Sequence, residues 1–460
     1  MNLDKYQQEV VTSNENILVI AGPGSGKTTT IKEKVNYLLE NNDPEDILLL
    51  SFTNKSVEDI KKKLNSDVFV MTFHKLAIDI LKHYKYKYKI IDTTLLPFII
   101  DEYIKIMPKE EKNKLCRYLN IIKLNFYSQE YISFKKLIIT FINLFKTNNN
   151  DIKKLEKLVT DYKDKYLIKI ILDILFIYEE EKNSTNTLDF DDLIIIATKL
   201  LKEKYLYKKF KYIIVDEFQD TSLIRLNLIR EIYLNSNSII TAVGDDAQSI
   251  FHFSGCDLNI FLSFNKYFPN TKLIYLKNTY RNSQELIDIS SKFVEKNSIQ
   301  LIKNMHSNMH IQKPIELIYY LNPIKALKKV LNLLKDEDDI MILGRNNNDI
   351  NNYIDNEFTL NGNLLIYNNK EYRYLTIHSS KGLESKYVII LNNSDSMYGL
   401  PNKIENHQIL NYIDNNINEI PFAEERRVFF VGITRCKIKT YLLVPRKNPS
   451  CFINEIKKML

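Results

Sequence analysis

The 460-residue sequence predicts an α/β protein of two lobes, each a parallel sheet covered by helices, with a helical insertion in the first lobe. Three observations carry that expectation. Apolar runs at Asn16–Ile20, Ile47–Leu50, Phe69–Met71, Tyr212–Val215 and Ile239–Val243 each end at a polar motif and alternate with helical periodicity. That is the pattern of strands buried on both faces. Residues 93–185 break this rhythm and carry helical spacing in Leu115–Ile122, Phe134–Phe145 and Leu167–Tyr178. A second series of apolar runs then follows at Lys272–Leu276, Ile340–Leu343, Leu375–Ile377, Val388–Leu391 and Thr440–Val444.

Length and composition are compatible with this plan. A chain of 460 residues accommodates about three domains. With 45% hydrophobic and 26% charged residues it reads as globular rather than disordered. No apolar run reaches the ~18 residues of a membrane span, and the N-terminus goes straight into polar sequence without a signal-peptide core. Cys116, Cys256, Cys436 and Cys451 stand far apart, so neither a zinc site nor a disulfide framework is expected. Together these lead us to expect an intracellular, soluble protein with no membrane partner, in cytoplasm or nucleus. A net charge of +7 favours polyanionic partners without the strongly basic footprint of a DNA-coating protein. Only 10 residues are glycine, and nearly all fall within the motifs below, where the backbone must turn sharply or approach a ligand.

The first apolar run leads into Ala21-Gly22-Pro23-Gly24-Ser25-Gly26-Lys27-Thr28, with a helical pattern behind it. This is a phosphate-binding loop: backbone N–H groups cradle phosphates, Lys27 reaches the β/γ-phosphates and Thr28 offers a hydroxyl to Mg²⁺. The run at Tyr212–Val215 delivers Asp216 and Glu217 at its carboxyl end, followed by Phe218-Gln219-Asp220. Asp216 is suited to hold Mg²⁺ through water and Glu217 to polarise an attacking water, which points to hydrolysis. After Ile239–Val243 comes Gly244-Asp245-Asp246-Ala247-Gln248-Ser249-Ile250-Phe251-His252-Phe253. Here Gln248 is a candidate γ-phosphate sensor, and Phe251 and Phe253 are candidates for stacking nucleic-acid bases beside it. Core packing is the competing reading for Phe253. The Lys82–Lys89 run of alternating cations and aromatics reads as a solvated linker rather than a DNA contact.

Together these motifs, in order, resemble the UvrD/Rep-type DNA helicases of superfamily 1A over nearly the whole chain. The resemblance implies two RecA-like lobes, ATP and Mg²⁺ as cofactors, and single-stranded DNA and its junctions with duplex as partners. Leu3-Asp4-Lys5-Tyr6-Gln7 resembles the adenine-reading Q motif, implying that Gln7 contacts the base. The implied ATP site further comprises Ala21, Gly22, Pro23, Gly24, Ser25, Gly26, Lys27, Thr28 and Thr29. Ser51-Phe52-Thr53-Asn54-Lys55 and Thr72-Phe73-His74 resemble the segments that hold single-stranded DNA, implying contacts from Phe52, Asn54, Thr72 and His74. Leu188–Ile194 is another family signature. Leu276–Arg281 resembles the segment that stacks Tyr280 on adenine and directs Arg281 at the γ-phosphate. Thr376–Glu384 implies a DNA contact from His378 and a ribose contact from Glu384, and Glu424–Arg435 makes Arg435 a second arginine finger.

By resemblance the first motor lobe, 1A, takes residues 1–92 and 186–275, the helical insertion 1B takes 93–185, and the second motor lobe, 2A, takes 276–460. The large accessory domain called 2B, which relatives insert between the Gly344 region and the Thr376 motif, has no room between 346 and 373. Phe253 stands where the family has Trp, Ser254 where it has Arg, Thr29 where it often has Arg, and Ser385 where an aromatic is usual. The expected activity is ATP-driven 3′→5′ movement along single-stranded DNA with unwinding of duplex. Two alternatives are a DNA-stimulated translocase that unwinds only with a partner, and a nucleotide-gated DNA-binding module with little turnover. No nuclease motif follows Arg435, so nuclease activity is expected only from a partner protein.

Overall fold

Leucine, isoleucine and valine runs bounded by polar motifs form strands that are buried on both faces, and their side chains alternate between two cores. The computed structural model describes residues 3–64, 66–204, 207–404, 407–413 and 420–460. Its strands, in chain order, are β1 (Ile17–Ala21), β2 (Ile47–Ser51), β3 (Phe69–Thr72), β4 (Lys89–Ile90), β5 (Thr187–Leu188), β6 (Tyr212–Val215), β7 (Ile239–Gly244), β8 (Lys272–Leu276), β9 (Ile315–Tyr320), β10 (Ile340–Gly344), β11 (Thr359–Asn361), β12 (Leu364–Tyr367), β13 (Lys370–Thr376), β14 (Ser385–Ile390) and β15 (Cys436–Pro445). The first sheet has the order β3-β2-β6-β7-β1-β8, and every pairing in it is parallel. Within β1, Leu18 and Ile20 join the core on one face, while Ile17, Val19 and Ala21 join the core on the other.

β8 differs from its sequence reading. Its run was expected to begin the second series, but it pairs with β1 from Ile17↔Lys272 to Ala21↔Leu276 as the edge of the first sheet. The reason lies in register: with β7 occupying one side of β1, β8 covers the other edge, and Ile274 and Leu276 bury into the first-lobe core.

The second sheet has the order β11-β12-β13-β10-β14-β15-β9. Five strands are parallel; β11 and β12 add an antiparallel hairpin at the edge. Residues 346–373 therefore contribute the 3₁₀ turn Asp349–Asn352, this hairpin, and the start of β13. Helices Gln284–Val294, Ala423–Ile433 and Cys451–Lys457 pack on one face through Phe293, Phe429 and Phe452.

The insertion consists of helices Leu95–Ile106, Lys109–Tyr118, Gln129–Thr147, Ile152–Leu158 and Tyr162–Thr185. The apolar spacing of 115–122 stops being helical at Tyr118, because Asn120 turns left-handed with φ 55°. β4 and β5 pair in parallel at the two ends of the insertion. A charged cluster fastens it to the first lobe: Lys146 pairs with Asp192 at 2.7 Å and with Asp189, and Lys182 pairs with Asp192 at 2.7 Å. Thr147 Oγ1 also donates to Asp191 Oδ2 at 2.8 Å. In the Lys82–Lys89 run the lysines are exposed, while Tyr84 and Tyr88 pack against the first-lobe core.

A feature that the sequence does not advertise joins the second lobe to this insertion. Residues 407–413, between β14 and helix Ala423–Ile433, bury Ile409, Leu410 and Ile413 in the insertion's own hydrophobic core. Gln408 Nε2 and Tyr412 Oη donate to the two oxygens of Asp164 at 2.8 and 3.0 Å. Asn148 and Asn150 donate to the Ile413 carbonyl at 3.0 and 3.1 Å. Among the described residues no helix is long and apolar enough to cross a membrane.

Candidate functional site: a cleft between two lobes

The loop after β1 reaches helix Lys27–Leu39 through Gly24 and Gly26, both at positive φ (71° and 79°). A Cβ on Gly24 would lie 2.5 Å from the Arg281 Cβ, and one on Gly26 would lie 2.6 Å from Gln7 Nε2. Glycine is therefore required here for conformation and for close approach alike. The 279–281 segment rests directly on the loop: Thr279 Oγ1 donates to the Pro23 carbonyl at 2.8 Å, and Tyr280 N to the Gly24 carbonyl at 2.8 Å.

Lys27 Nζ lies 3.1 and 3.3 Å from the two carboxylate oxygens of Glu217. Glu217 adopts φ 52°, a left-handed conformation that is costly for a residue with a side chain and is concentrated at functional sites. Gln219 Nε2 holds its Oε2 at 2.6 Å. Burial opposes charge on Glu217, yet the Lys27 and Lys381 ammonium groups keep its carboxyl below the usual range. The neighbouring Asp216 goes the other way: burial first, then the Glu217 charge, push it up.

A divalent cation beside Asp216 would offset that burial and favour the charged carboxylate. Asp216 and the Thr28 hydroxyl are both hard oxygen donors of the kind Mg²⁺ takes, usually alongside waters and phosphate oxygens. The Ser25 hydroxyl is buried in the phosphate loop without a protein partner. The residues present fit Mg²⁺ and a nucleoside triphosphate.

Two arginines enter from the second-lobe side. Arg281 Nε donates to Glu384 Oε2 at 2.6 Å, and Lys437 holds the other Glu384 oxygen at 2.7 Å. Arg435 is almost wholly buried at 1% exposure, and its Nη2 donates to Gln248 Oε1 at 2.9 Å. Burial, with Arg281 nearby, pushes the Arg435 guanidinium down to about 9, against the pull of the Glu217, Asp245 and Glu384 carboxylates. Gln248 Nε2 in turn donates to Asp245 Oδ2 at 2.7 Å. At the other end of the cleft Gln7 is 3% exposed and donates to the Ser25 carbonyl at 3.2 Å. Tyr280, 57% exposed, donates to Asp4 Oδ2 at 2.7 Å. Ala21, Gly22 and Pro23 are buried beneath the loop, and Thr28 and Thr29 are half-buried at the start of its helix.

The candidate DNA-facing residues fall into two patches. Phe251 and Phe253 of the first lobe meet His378 of the second, with ring centroids 6.1 and 5.7 Å from the imidazole. Phe253 is 61% exposed, which removes core packing as its role. Ser254 bonds its hydroxyl to the Phe251 carbonyl at 2.7 Å, staying within its own turn. In the second patch Phe52 packs on Phe73 at 5.1 Å, with the Arg225 guanidinium 5.3 Å over its ring, and His74 lies edge-on to Phe190 at 5.6 Å. Asn54 is exposed at the head of helix Asn54–Lys63. Thr72 spends its hydroxyl capping the next helix, accepting from Lys75 N at 3.3 Å.

Sequence reading did not single out Arg225, Phe190 or Lys381. Lys381 stood inside a quoted motif, and its Nζ reaches the Gln248 carbonyl at 2.8 Å, pairs with Asp220 and lies 5.0 Å over the Phe251 ring. It therefore joins the aromatic patch to the acidic end of the cleft. Phe190 was also inside a quoted signature, whereas Arg225 carried no signal beyond being an arginine on a helix.

A parallel-sheet phosphate-loop lobe facing a second, mostly parallel lobe across an arginine-lined cleft is the architecture of the two-lobed P-loop nucleoside triphosphatases. Comparison with known proteins then narrows the class. Residues 3–269 match the UvrD/REP helicase N-terminal domain, and residues 366–446 match the UvrD-like helicase C-terminal domain. The chain belongs to the UvrD/REP helicase family. It is 27% identical to DNA helicase IV of Escherichia coli (strain K12) over 98% of its own length and 69% of that protein. It is 30% identical to the probable DNA helicase II homolog of Mycoplasma capricolum over 68% of this chain and 44% of the relative. It is 27% identical to the ATP-dependent DNA helicase PcrA of Bacillus subtilis over 69% of this chain and 42% of the relative. The chain thus spans about two thirds of the first and less than half of the other two.

Proposed function

We propose that this chain is an ATP-dependent DNA helicase that hydrolyses ATP between its lobes and moves 3′→5′ along single-stranded DNA, opening duplex at junctions. One observation carries the reading: Lys27, Glu217, Gln248, Arg281 and Arg435 converge on one cleft from both lobes. In the proposed cycle Gln7 and Tyr280 hold the base, Ala21–Thr29 the phosphates, and Glu384 the ribose. Thr28 and Asp216 are the residues that would hold Mg²⁺, which supplies charge stabilisation to the phosphates when bound. Glu217 orients and deprotonates water. A triphosphate would draw Lys27 off Glu217 and free that carboxylate to act as base.

Arg281 and Arg435 meet the charge that develops on the γ-phosphate, so closure of the lobes and hydrolysis favour each other. Phe52, Asn54, Thr72, His74, Phe251, Phe253 and His378 are the proposed DNA contacts. Aromatic faces suit sequence-independent stacking of bases. Because Phe253 and His378 come from different lobes, closure would shift one base contact against the other.

Steady-state ATPase activity with and without single-stranded DNA, in wild type and Glu217→Gln, tests the reading. Strong stimulation that is lost in the variant supports it; ATP binding without turnover in either condition refutes it. A second reading, translocation that needs a partner for unwinding, is favoured by the short β11–β12 hairpin where relatives are expected to carry an accessory domain. Strand displacement measured beside ATPase on the same substrate separates the two.

A further inference from the structure

Lys303 lies outside every motif of the sequence reading. It sits on the loop that leaves helix Gln284–Val294 of the second lobe and folds over the first lobe before β9. That loop is fastened to both lobes. Asn297 Nδ2 donates to the Ala423 carbonyl of the second lobe at 3.0 Å. On the first lobe, Gln300 Nε2 and Leu301 N donate to Asp246 Oδ2 at 2.7 and 2.8 Å, and Met305 packs so closely on the phosphate loop that a Cβ at Gly22 would lie 2.8 Å from its sulfur. The Lys303 ammonium lies 3.0 Å from Asp245 Oδ1 and 2.6 Å from Asp246 Oδ1, and both aspartate side chains have no solvent exposure. The far oxygen of Asp245 accepts from Gln248 Nε2 at 2.7 Å, and Gln248 Oε1 accepts from Arg435 at 2.9 Å. One continuous line of charge and hydrogen bonds therefore runs Lys303–Asp245–Gln248–Arg435.

We propose that Lys303 is a positioning residue for ATP hydrolysis: through Asp245 it fixes the Gln248 amide toward the γ-phosphate and carries the nucleotide state to the loop that ties the two lobes together. The inference rests on the reading that ATP is hydrolysed in this cleft. Two adjacent buried carboxylates repel each other and call for a cation between them. Lys303 supplies one, 3.0 Å from Asp245 and 2.6 Å from Asp246, and so holds the Asp245 carboxylate in place. A charged acceptor on one side and the Arg435 donor on the other leave the Gln248 amide a single orientation, nitrogen to Asp245 and oxygen to Arg435. Without the ammonium, the Asp245 carboxylate is no longer held in place, and the amide loses that constraint while the phosphate loop itself is untouched.

The test compares Lys303→Met, Lys303→Arg and Asp246→Asn in the full chain, with melting temperature as the folding control. Readouts are affinity for a fluorescent ATP analogue, ATPase kcat and KM with single-stranded DNA, and the change in DNA affinity on adding a non-hydrolysable ATP analogue. Lys303→Met should lower kcat by about tenfold or more with KM for ATP changed by less than about threefold, and should abolish the nucleotide-dependent change in DNA affinity. Lys303→Arg should restore most of both. Asp246→Asn also removes a charge paired with Lys303 but retains an oxygen to accept from Gln300 and Leu301 and leaves the Asp245–Gln248 contact in place, so it should keep the nucleotide-dependent change. Wild-type kcat and coupling in Lys303→Met overturn the inference, as does an Asp246→Asn variant that behaves like Lys303→Met. If Lys303→Met does not fold, Asp245→Asn is read in its place: loss of coupling supports the inference and retention overturns it. A wild-type chain without turnover overturns the hydrolysis reading and this inference together; wild-type turnover beside an unaffected variant overturns this inference alone.

Discussion

Ile409→Ala is the sharpest probe of how the second lobe is held to the helical insertion. Ile409 is fully buried, and it is buried in the core of the insertion rather than in that of its own lobe. Truncating a buried isoleucine to alanine costs about 2–5 kcal/mol through lost burial and the cavity left behind. The loss falls on the docking of 407–413, where among the described residues Leu410 and Ile413 share that core and Tyr412 packs against it, and neither lobe's sheet is touched. A cost of about 3 kcal/mol corresponds to roughly a hundredfold rise in the undocked population, at 1.4 kcal/mol per decade. Amide hydrogen exchange reads this directly. Amides within 408–413 should exchange about a hundredfold faster than in wild type, while those of β1 and β7 keep their rates. Unchanged exchange in 408–413 would refute the docking argument. Equal acceleration in β1 would refute its locality, since the substitution would then have destabilised the first lobe as well.

Three further outcomes follow from the same geometry. Phe253→Ala should weaken single-stranded DNA binding by about 1–3 kcal/mol, the worth of one stacked base, with nucleotide affinity unchanged; DNA and ATP-analogue titrations check both halves. Lys146→Met removes one of the two ammonium groups shared by Asp189 and Asp192, with Lys182 still paired to both, and should cost about 1–3 kcal/mol in a urea titration. For pH dependence, burial lowers His74 and His378 to about 4, aided by Arg225 at His74 and by Arg345 and Lys381 at His378. Unfolded histidine protonates near 6.5, so between pH 6.5 and 4 the unfolded chain binds more protons. The stability contribution is therefore fully present above 6.5 and is lost as pH falls through that window. Melting temperature against pH should show this fall, and a His378→Gln variant should fall less steeply; identical slopes would count against the assignment.

How much of the fold was legible depended on whether its cause was local. β1, β2, β6 and β7 are continuous apolar runs ending at polar motifs, so burial on both faces was written in the residues themselves. β9 was missed although Leu317–Leu321 is apolar, because Glu316 interrupts the run, Tyr319 faces solvent and no chemical motif follows it. β8 was found as a strand but read into the wrong series, because an apolar run records burial and not which strand it pairs with. The strap 407–413 could not be read because its one 3₁₀ turn, Gln408–Tyr412, is too short to carry a periodic signal, and its partners lie in helices roughly 230 to 320 positions earlier in the chain.

The candidate site divides along the same line, because contact with phosphates and contact between lobes place different demands on the chain. Chemistry in contact with phosphates needs special backbone, such as Gly24 and Gly26 at positive φ, or a carboxylate at a strand end, such as Glu217. Those demands restrict residue type over a few consecutive positions, so they surface as motifs. Coupling needs only that two groups from different lobes meet. Lys381 to the Gln248 carbonyl, Arg435 to the Gln248 amide and Lys303 to Asp245 are each a single long side chain crossing the cleft. A lysine that crosses is indistinguishable in sequence from the many lysines that lie on the surface, and the chain's abundance of lysine and asparagine hides it further. Phosphate chemistry was therefore readable before the fold was known, while the contacts that would turn hydrolysis into movement had to be found in space. That asymmetry also predicts where this chain can diverge without losing ATPase activity: at the crossing side chains and the strap, rather than in the loops that hold the nucleotide.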